Sequence, residues 1–358
     1  MNKKMVTLLK MIILSLGLIA ITVGVTKDKN KTGTTTEVTN YGFAMGTSIS
    51  INIYPGSSQV DVDELTKDIN HEIKELDEQL ISWRTEGSQL NLLNENYKIS
   101  ENYEISQELY TVLRQSLAIC KDSEGALDIT IRPLAALWNI EGDSDSEFVP
   151  PSDKDIDIAL EKVDYKNIEL FSDSDAVYYS NIASESMIID LGATGKGYAL
   201  DKTKVVLENA NVDGALITVG GSVLVYGKKP SGESWRIGVR DPMEPNDTSA
   251  MMGYIEFSPG TVTCISTSGG YEKFKTYGGK DYHHILDSKT GYPAESDVLS
   301  VTIVCDNGLV SDGLSTACYI LGYEKSLPLL EKYNAEAVFV DLEGNIIVTE
   351  GLKGKWID

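Results

Sequence analysis

A carboxylate and a hydroxyl are spaced for one face of a helix in the segment SDGLSTACYIL. Asp312 and Thr316 are four residues apart, and side chains at that spacing lie side by side on an α-helix. Oxygen donors of this kind suit a hard cation such as Mg²⁺. The alternative is a helix cap, in which Ser311 or Asp312 accepts hydrogen bonds from free N–H groups. Taken alone the segment favours the cap, and a second ligand-bearing segment is needed to overturn it.

A glycine-rich turn in IDLGATGKGYALD is the second segment whose residue types can carry chemistry. It departs from the phosphate-binding loop pattern, because Asp190 stands where that pattern has a glycine and Gly197 where it has a hydroxyl. A helix that starts beside Lys196 would still present free N–H groups to an anion. On spacing alone, a turn whose glycines serve only the backbone geometry is an equal alternative.

Two adjacent histidines, His283 and His284, stand in KDYHHILDSKTGYP. Successive side chains of a strand point to opposite faces, so these two imidazoles cannot chelate one ion. One is expected to face a cleft and the other the core or solvent. An imidazole near a metal-bound phosphate can handle a proton, whereas a hydrogen-bonded structural histidine is the alternative.

Two further segments give weaker signals. STSGGYEKF offers hydroxyls and glycines in a turn, but it is not the G-x-S-x-G pattern of serine hydrolases, and triad partners are not evident. GALDITIRPLAALW places Asp128 among apolar residues with Arg132 four positions later. The plain interpretation of that pair is an ion pair at the boundary of an element.

The elements that must position these residues are mixed in type. Apolar residues recur at helical spacing from Leu65 to Leu80, and the segment from Met45 to Tyr54 alternates as a strand. A strand end is predicted at Met187–Asp190, followed by a helix from near Gly195 to about Ala210. Because strands and helices do not alternate regularly, the pattern predicts an α+β fold. Residues 141–157, acidic and proline-containing, are predicted to form a surface loop.

Charge and cysteine usage exclude some functions. The 358-residue chain has a formal net charge of −23, which would repel the phosphate backbone of a nucleic acid. Any anionic ligand must therefore be met by a metal, a helix N-terminus or a few placed basic groups. The four cysteines lie far apart without a C-x-x-C motif, so zinc and redox motifs are absent and buried thiols are expected.

The N-terminus has the pattern of an export segment. Three lysines in the first ten residues precede an uncharged apolar run at 11–25. No cysteine follows that run, so a lipid anchor is not predicted. We interpret residues 1–26 as a signal or membrane anchor, 27–40 as a polar linker and 41–358 as the folded domain, which would lie at the extracytoplasmic face of the cell membrane.

The order of these segments resembles that of a known family. Along about 310 residues the sequence is similar to the ApbE family of FAD:protein FMN transferases, and the segments that carry the resemblance are MGT at 45–47, GALDITIRPLAALW, IDLGATGKGYALD, LITVGGSVLVYG, WRIGVRDP, STSGGYEKF, HHILDSKTGYP and SDGLSTACYILG. The resemblance implies a single α+β catalytic domain of the ApbE type, related to the T-fold, with mixed sheets and packed helices.

The resemblance also implies an activity. A member of this family uses Mg²⁺ and FAD, cleaves the pyrophosphate and joins FMN through a phosphoester to a Thr or Ser of an acceptor flavoprotein, with release of AMP. The expected acceptor is an exported redox flavoprotein or a subunit of a membrane redox complex. Two alternatives remain on the residues alone, a Mg²⁺-dependent FAD pyrophosphatase with water as the acceptor and a non-catalytic exported FAD-binding protein.

Site residues follow from the resemblance by position. The metal would be held by the carbonyl of Ala193 and by the side chains of Asp312 and Thr316. Catalytic roles fall to His284, Lys196 and Asp190, and His284 would accept the proton of the acceptor hydroxyl unless a neighbouring carboxylate does so. The positions expected to bind FAD are Met45, Ala126, Leu127, Asp128, Asp190, Lys196, Ser268 and His284.

Three positions depart from the family pattern. Thr194-Gly195 stands where the family usually has Ile-Ala, Ser288 stands where Pro is common, and Gly313 stands where Ala is common. These changes are small and leave the expected ligands in place.

Overall fold

Residues 38–142 and 148–358 are described by the structure, a computed structural model. The helices are α1 (Val62–Glu75), α2 (Gln89–Asn96), α3 (Gln107–Asp122), α4 (Arg132–Trp138), α5 (Asp153–Leu160), α6 (Gly195–Ala210), α7 (Gly308–Leu321), α8 (Tyr323–Tyr333) and α9 (Glu350–Lys353), with a π-helical turn at Leu76–Ile81 and a 3-10 turn at Tyr165–Asn167. The helices predicted from Leu65 onwards and from Gly195 to Ala210 are confirmed.

The strands are β1 (Val38–Ala44), β2 (Thr47–Tyr54), β3 (Asn102–Ile105), β4 (Ile168–Ser172), β5 (Tyr178–Ile182), β6 (Gly214–Val219), β7 (Ser222–Gly227), β8 (Trp235–Arg240), β9 (Met251–Phe257), β10 (Thr261–Gly269), β11 (Phe274–Tyr277), β12 (Lys280–His283), β13 (Val298–Cys305), β14 (Glu336–Asp341), β15 (Ile346–Val348) and β16 (Trp356–Ile357). An eight-stranded antiparallel sheet has the order β1-β2-β6-β7-β10-β13-β14-β15. The expected α+β class with mixed sheets and packed helices is confirmed.

The two faces of the large sheet pack against different layers. Successive residues of a strand point to opposite faces, and both faces are apolar here. Ile217 and Ile303 belong to the large core formed with the helices. Leu216 and Val225 belong to a second core shared with Ile237 of the small β16-β9-β8 sheet. The sheet is therefore a rigid central layer on which the helices are held.

One end of this sheet collects the segments that the sequence singled out. The Met45-Gly46 turn joins β1 to β2, and the Gly220-Gly221 turn joins β6 to β7 at the same end, since Ile49 pairs with Val219. The final residues of β10, from Ser266 onwards, lie at this end too, because Ser266 pairs with Ser222. The turns that contain candidate site residues therefore lie together at one end of the large sheet.

The first strand starts earlier than the sequence predicts. The last three residues of the predicted linker, 38–40, already belong to β1 and pair with Ile53, Asn52 and Ile51 of β2. The alternating segment predicted from Met45 is a strand only from Thr47, because Met45 and the glycine after it form the hairpin turn with φ of 54° and 69°. The predicted signal or anchor at 1–26, and the rest of the linker, lie outside the described residues.

The segment 187–190 is not a regular strand, which corrects the predicted strand end. Side chains of α2 and of the residue that follows it take over its backbone hydrogen bonds. The Met187 N–H donates to the Tyr97 hydroxyl at 2.9 Å, and the Ile189 N–H donates to Asn94 Oδ1 at 2.8 Å. Its polar groups are thus satisfied without a sheet partner.

The predicted loop at 141–157 is shorter than expected. Residues 143–147 lie outside the described part of the chain, and α5 begins at Asp153. Ser152 caps this helix by accepting the Asp155 N–H, which the serine-rich, acidic sequence permits.

Within the described residues, no helix is both long and apolar enough to cross a bilayer. All four cysteines are buried and unpaired, as the sequence predicts.

Candidate active site

The crossing of α6 and α7 fixes the geometry of the site. Gly197 and Gly308 meet where the two helices cross, and a Cβ at Gly197 would lie 1.9 Å from the Gly308 carbonyl oxygen. Asp201 of α6 accepts the N–H groups of Gly308 at 2.6 Å and Leu309 at 2.9 Å, so it caps α7. The glycines of the turn therefore serve close helix packing as well as turn geometry.

Asp312 of α7 reaches back to the start of α6. Its Oδ2 accepts the Gly197 N–H at 3.0 Å, and its Oδ1 accepts the Ser222 hydroxyl at 3.2 Å and lies 3.4 Å from Lys196 Nζ. The carboxylate is buried, with 4% of the residue exposed. The N-cap of α7 is Asn307, one turn earlier, so the alternative that Asp312 caps its own helix is wrong.

The carbonyl of Ala193 is left out of the first turn of α6. In a regular helix the Gly197 N–H would donate to this carbonyl. It donates instead to Asp312, and the Tyr198 N–H donates to the Thr194 carbonyl at 3.0 Å. The Ala193 oxygen is thus a backbone acceptor that the helix does not use.

Thr316 lies in a row of hydroxyl groups between α7 and β10. Its Oγ1 lies 3.3 Å from the Ser268 hydroxyl, which also contacts the Ser315 hydroxyl at 2.7 Å. Two residues earlier on β10, the Ser266 hydroxyl donates to the Ser222 hydroxyl at 3.1 Å. Ser222 in turn donates to the Asp312 carboxylate, and the Ser315 hydroxyl donates to the Asp312 carbonyl at 2.7 Å, so both groups of hydroxyls contact the residue that the sequence singles out.

These residues fit a divalent cation such as Mg²⁺. The three expected donors are a carbonyl, a carboxylate and a hydroxyl, the oxygen types that this ion prefers. The Lys196 ammonium already lies between the Gly192 carbonyl oxygen, at 2.9 Å, and Asp312 Oδ1, at 3.4 Å. A positive charge is therefore favourable at this point of the structure.

Asp190 lies beside the turn in a group of charged residues. Its Oδ1 accepts the Gly192 N–H at 2.8 Å. Burial raises the pKa of the Asp190 carboxyl, while the Gly192 N–H and the positive charges of Arg132 and Arg84 oppose that rise. Arg132 stacks on the Trp83 ring, 3.5 Å from its centroid. Asp190 keeps some exposure to solvent. Glu141 acts electrostatically on both Asp190 and His284, and we call the partly exposed surface around these residues the cleft.

Asp128 does not pair with Arg132, which corrects the expected ion pair. Its Oδ1 accepts the N–H and the hydroxyl of Thr130, and its Oδ2 accepts the Tyr165 N–H at 3.1 Å. Burial raises the pKa of the Asp128 carboxyl. The carboxylate therefore organises the turn before α4.

The two histidines have different surroundings, and which of them faces a ligand stays a prediction. His283 packs edge-on against Tyr319 and places Nε2 3.1 Å from the Ala294 carbonyl oxygen, and burial lowers its pKa. His284 keeps some exposure, and its Nδ1 lies 3.2 Å from the Lys273 carbonyl oxygen. Since a carbonyl only accepts, Nδ1 carries the proton and the Nε2 lone pair is available. Burial lowers the pKa of His284 to about 4, against the opposing charge of Glu141.

Several charged residues of the cleft were missed by the sequence analysis. Lys273 donates to Glu141 at 2.7 Å, and both act electrostatically on His284. Burial raises the pKa of Glu272, which the positive charges of Lys196 and Lys273 oppose. Glu272 and Lys273 fall in the STSGGYEKF segment, where only the hydroxyls and glycines were considered, so that segment carried the signal.

The remaining predicted FAD positions are placed as follows. Met45 lies in the hairpin turn, its N–H donates to Asp77 Oδ2 at 2.6 Å, and a Cβ at Gly46 would lie 3.7 Å from Arg84. Ala126 and Leu127 are buried. Their segment runs beside the cleft, because the Ile129 carbonyl accepts the Asp190 N–H at 2.7 Å. A contact of these residues with FAD stays a prediction.

The departures from the family pattern complement one another in space. A Cβ at Gly313 would lie 3.2 Å from Thr194 Cγ2, and Thr194 is buried with its hydroxyl 3.0 Å from Ser116. A Cβ at Gly195 would lie 2.8 Å from Ile81 Cδ1. Thr194 and Gly313, which face each other, are both smaller than the usual family residues, so the helices can keep the same spacing beside Asp312 and Lys196. Ser288 replaces a proline with a hydroxyl that donates to the Gly125 carbonyl at 2.6 Å.

Comparison with known proteins gives a consistent result. The ApbE family model matches residues 45–339. The FAD:protein FMN transferase of Treponema pallidum is 32% identical over 259 residues, which is 69% of each chain. That of Haemophilus influenzae is 26% identical over 312 residues, 86% of this chain and 88% of the relative.

Solved structures agree with this similarity. The ApbE protein of Thermotoga maritima superposes with a TM-score of 0.78 at 29% identity, covering 89% of this chain and 99% of its own. The flavinyl transferase ApbE of Pseudomonas stutzeri, in its apo form, gives 0.76 at 25% identity, covering 91% and 98%.

Proposed function

This chain belongs to the ApbE family, and on that premise we propose that it is a Mg²⁺-dependent FAD:protein FMN transferase that attaches FMN to a Thr or Ser of an acceptor flavoprotein and releases AMP. The observation that carries the proposal is the buried Asp312 carboxylate, which accepts the Gly197 N–H that a regular helix would direct to the Ala193 carbonyl. A cation site next to a helix N-terminus suits a pyrophosphate.

The cleft has the charges needed for this substrate. The N-terminus of α6, Lys196 and the Arg84–Arg132 pair supply local positive charge in a protein of net charge −23. Ala193, Asp312 and Thr316 would hold the Mg²⁺, which supplies neutralisation of the charge on the pyrophosphate oxygens. Lys196 would contribute a fixed cation beside the departing AMP phosphate.

We assign His284 the role of general base that accepts the proton of the acceptor hydroxyl. The hydroxyl oxygen bonds to the FMN phosphorus, the pyrophosphate bond breaks, and AMP departs with the electron pair. His284 is neutral at physiological pH and directs the Nε2 lone pair away from its bond to Lys273. Glu141 stabilises the imidazolium once the proton has arrived, because its negative charge raises the pKa of His284.

The proposal can be tested directly by incubating the protein with FAD, Mg²⁺ and an acceptor flavoprotein domain that is a substrate of a related FMN transferase. We expect a fluorescent protein band, a mass increase equal to one FMN, and AMP in equal amount. AMP and FMN without a labelled acceptor would indicate the pyrophosphatase alternative, and neither product would indicate a protein that only binds FAD. Either result contradicts the transferase proposal.

Replacing His284 by Ala is expected to lower kcat by about a hundredfold or more, since general bases contribute roughly that much. In the wild type, kcat/KM should fall only as the pH approaches about 4, where His284 takes up its proton. Glu141→Gln is the matched control, because loss of the carboxylate lowers the pKa of His284 and moves this acid limb to lower pH. The assignment would be wrong if the His284→Ala variant kept the wild-type kcat and the wild-type decline of kcat/KM towards acidic pH.

The place of action is also proposed. The basic and apolar N-terminal sequence supports export, with the catalytic domain at the extracytoplasmic face of the cell membrane. The acceptor would then be an exported redox flavoprotein or a membrane redox-complex subunit.

A further inference from the structure

Within the part of the chain that the structure describes, the outer side of β1 presents backbone groups without a strand partner. Among the described residues, β1 is the outermost strand of the large sheet. Its two-residue turn makes Ala44 and Thr47 the hydrogen-bonded pair that closes the hairpin. Antiparallel pairs alternate, so Phe43 and Ser48 exchange no hydrogen bonds. The Ser48 carbonyl agrees with this assignment, because it accepts the Gly220 N–H on its far side at 3.0 Å.

Three alternate residues therefore direct their N–H and C=O groups away from β2, namely Thr39, Tyr41 and Phe43, which we call the β1 edge. Tyr41 is 69% exposed and Phe43 is 65% exposed. The strand, VTNYGFA, contains no charged residue and no proline. Proteins usually protect an exposed edge with lysine, proline or a bulge, and the β1 edge has none of these.

The β1 edge leads directly to the cleft. Its C-terminal end continues into the turn at Met45, whose N–H is held by Asp77. The next residue of the turn packs beside Arg84, and Arg84 acts electrostatically on Asp190. A strand added along the edge would thus end at the wall of the cleft.

An acceptor polypeptide fits this edge better than a second copy of the chain. Two copies would each bring a net charge of −23 and repel one another. The proposed transfer requires a polypeptide to present a hydroxyl at the cleft. Strand addition binds mainly through the backbone, so it places an extended segment while its side chains remain free to vary.

We propose that the β1 edge binds an extended segment of the acceptor protein as an added strand and so delivers its hydroxyl to the cleft. This inference rests on the proposed transferase function. Tyr41 and Phe43 then act on acceptor binding alone, because they contact neither the expected metal ligands nor His284.

Two variants test the edge by different means. Tyr41→Pro removes an outward N–H that β2 does not use, and Phe43→Lys places a charge on the edge. We expect each variant to raise the KM for a purified acceptor domain, one that is a substrate of a related FMN transferase, by about tenfold or more. The kcat and the affinity for FAD should stay at wild-type values. Phe171→Lys, on the outer strand of the separate β3-β5-β4 sheet, is the matched control and should change nothing.

The outcomes separate the two proposals. If the wild type labels no acceptor, the transferase function fails. If the wild type labels it and both edge variants keep the wild-type KM, the edge inference is overturned. The edge inference also fails if Phe43→Lys leaves the acceptor KM unchanged and only abolishes a dimer seen by light scattering.

Discussion

Replacing Asp312 by Asn is expected to reduce FMN transfer by about a thousandfold, a loss of several kcal/mol of charge stabilisation. The amide oxygen can still accept the Gly197 N–H, so the contact between α6 and α7 is kept. The NH₂ group, however, cannot bind a cation, and the negative charge that balances Lys196 is lost. The effect should therefore appear in kcat and in the Mg²⁺ concentration for half-maximal activity, measured at a temperature at which circular dichroism shows the variant to be folded.

The control for this prediction is Asp306→Asn, which removes the same charge from an exposed position two residues before α7. It should keep wild-type activity and Mg²⁺ dependence. Thr316→Ser should likewise retain most activity, because the hydroxyl beside Ser268 is preserved. An Asp312→Asn enzyme with full activity at the same Mg²⁺ concentration would refute the metal assignment.

Replacing Gly197 by Ala is expected to destabilise the protein by at least about 3 kcal/mol, at the upper end of overpacking in well-packed cores. The added Cβ would lie 1.9 Å from the Gly308 carbonyl oxygen and 2.7 Å from Asp312 Cβ, so the two helices must separate. Separation breaks the Gly197–Asp312 hydrogen bond and the capping of α7 by Asp201. Chemical denaturation should report the loss, and transfer activity should fall with it.

Gly195→Ala is the matched control, with the same substitution two residues earlier in the same helix. The Cβ there meets Ile81 Cδ1, the end of a flexible side chain, at 2.8 Å. We expect less than about 1 kcal/mol of change, since that side chain can adopt another rotamer. Equal stabilities for the Gly197→Ala and Gly195→Ala variants would mean that the helix crossing does not fix the site.

Local patterns in the sequence predicted much of this site. The four-residue spacing of Asp312 and Thr316 placed both on α7, and the glycine turn predicted a helix starting at Gly195. These signals depend on periodicity within one element, which a sequence displays directly. The adjacent histidines contact different carbonyl groups, but the strand ends at His283, so strand alternation does not by itself place His284.

Contacts between distant segments could not be obtained in this way. Arg84 and Arg132 act electrostatically on Asp190 from separate parts of the chain, whereas the sequence suggested Asp128 as the partner of Arg132. The segment before Asp190 looked like a strand end, but Asn94 and Tyr97 hold its backbone. Local propensity is overridden where tertiary hydrogen bonds satisfy the backbone.

Gly197 is the clearest example of a residue whose role depends on a contact with a distant segment. Compared with a phosphate-binding loop it was merely a mismatch, whereas the structure shows that Gly308, 111 positions later in the numbering, requires it. The reciprocal hydrogen bonds of Asp312 and Asp201 then hold the carboxylate at the start of α6. The fold thus builds the proposed cation site from two helices whose sequences give no sign of their crossing.

The central claim is that a divalent ion is bound by the Ala193 carbonyl, Asp312 and Thr316 beside the pyrophosphate of FAD. Crystals grown with FAD and Mn²⁺ in place of Mg²⁺ test it through the anomalous scattering of manganese. We predict a single strong peak within bonding distance of these three oxygens and of the FAD phosphates. FAD bound in the cleft with the manganese peak elsewhere, or with no peak at all, would contradict the account.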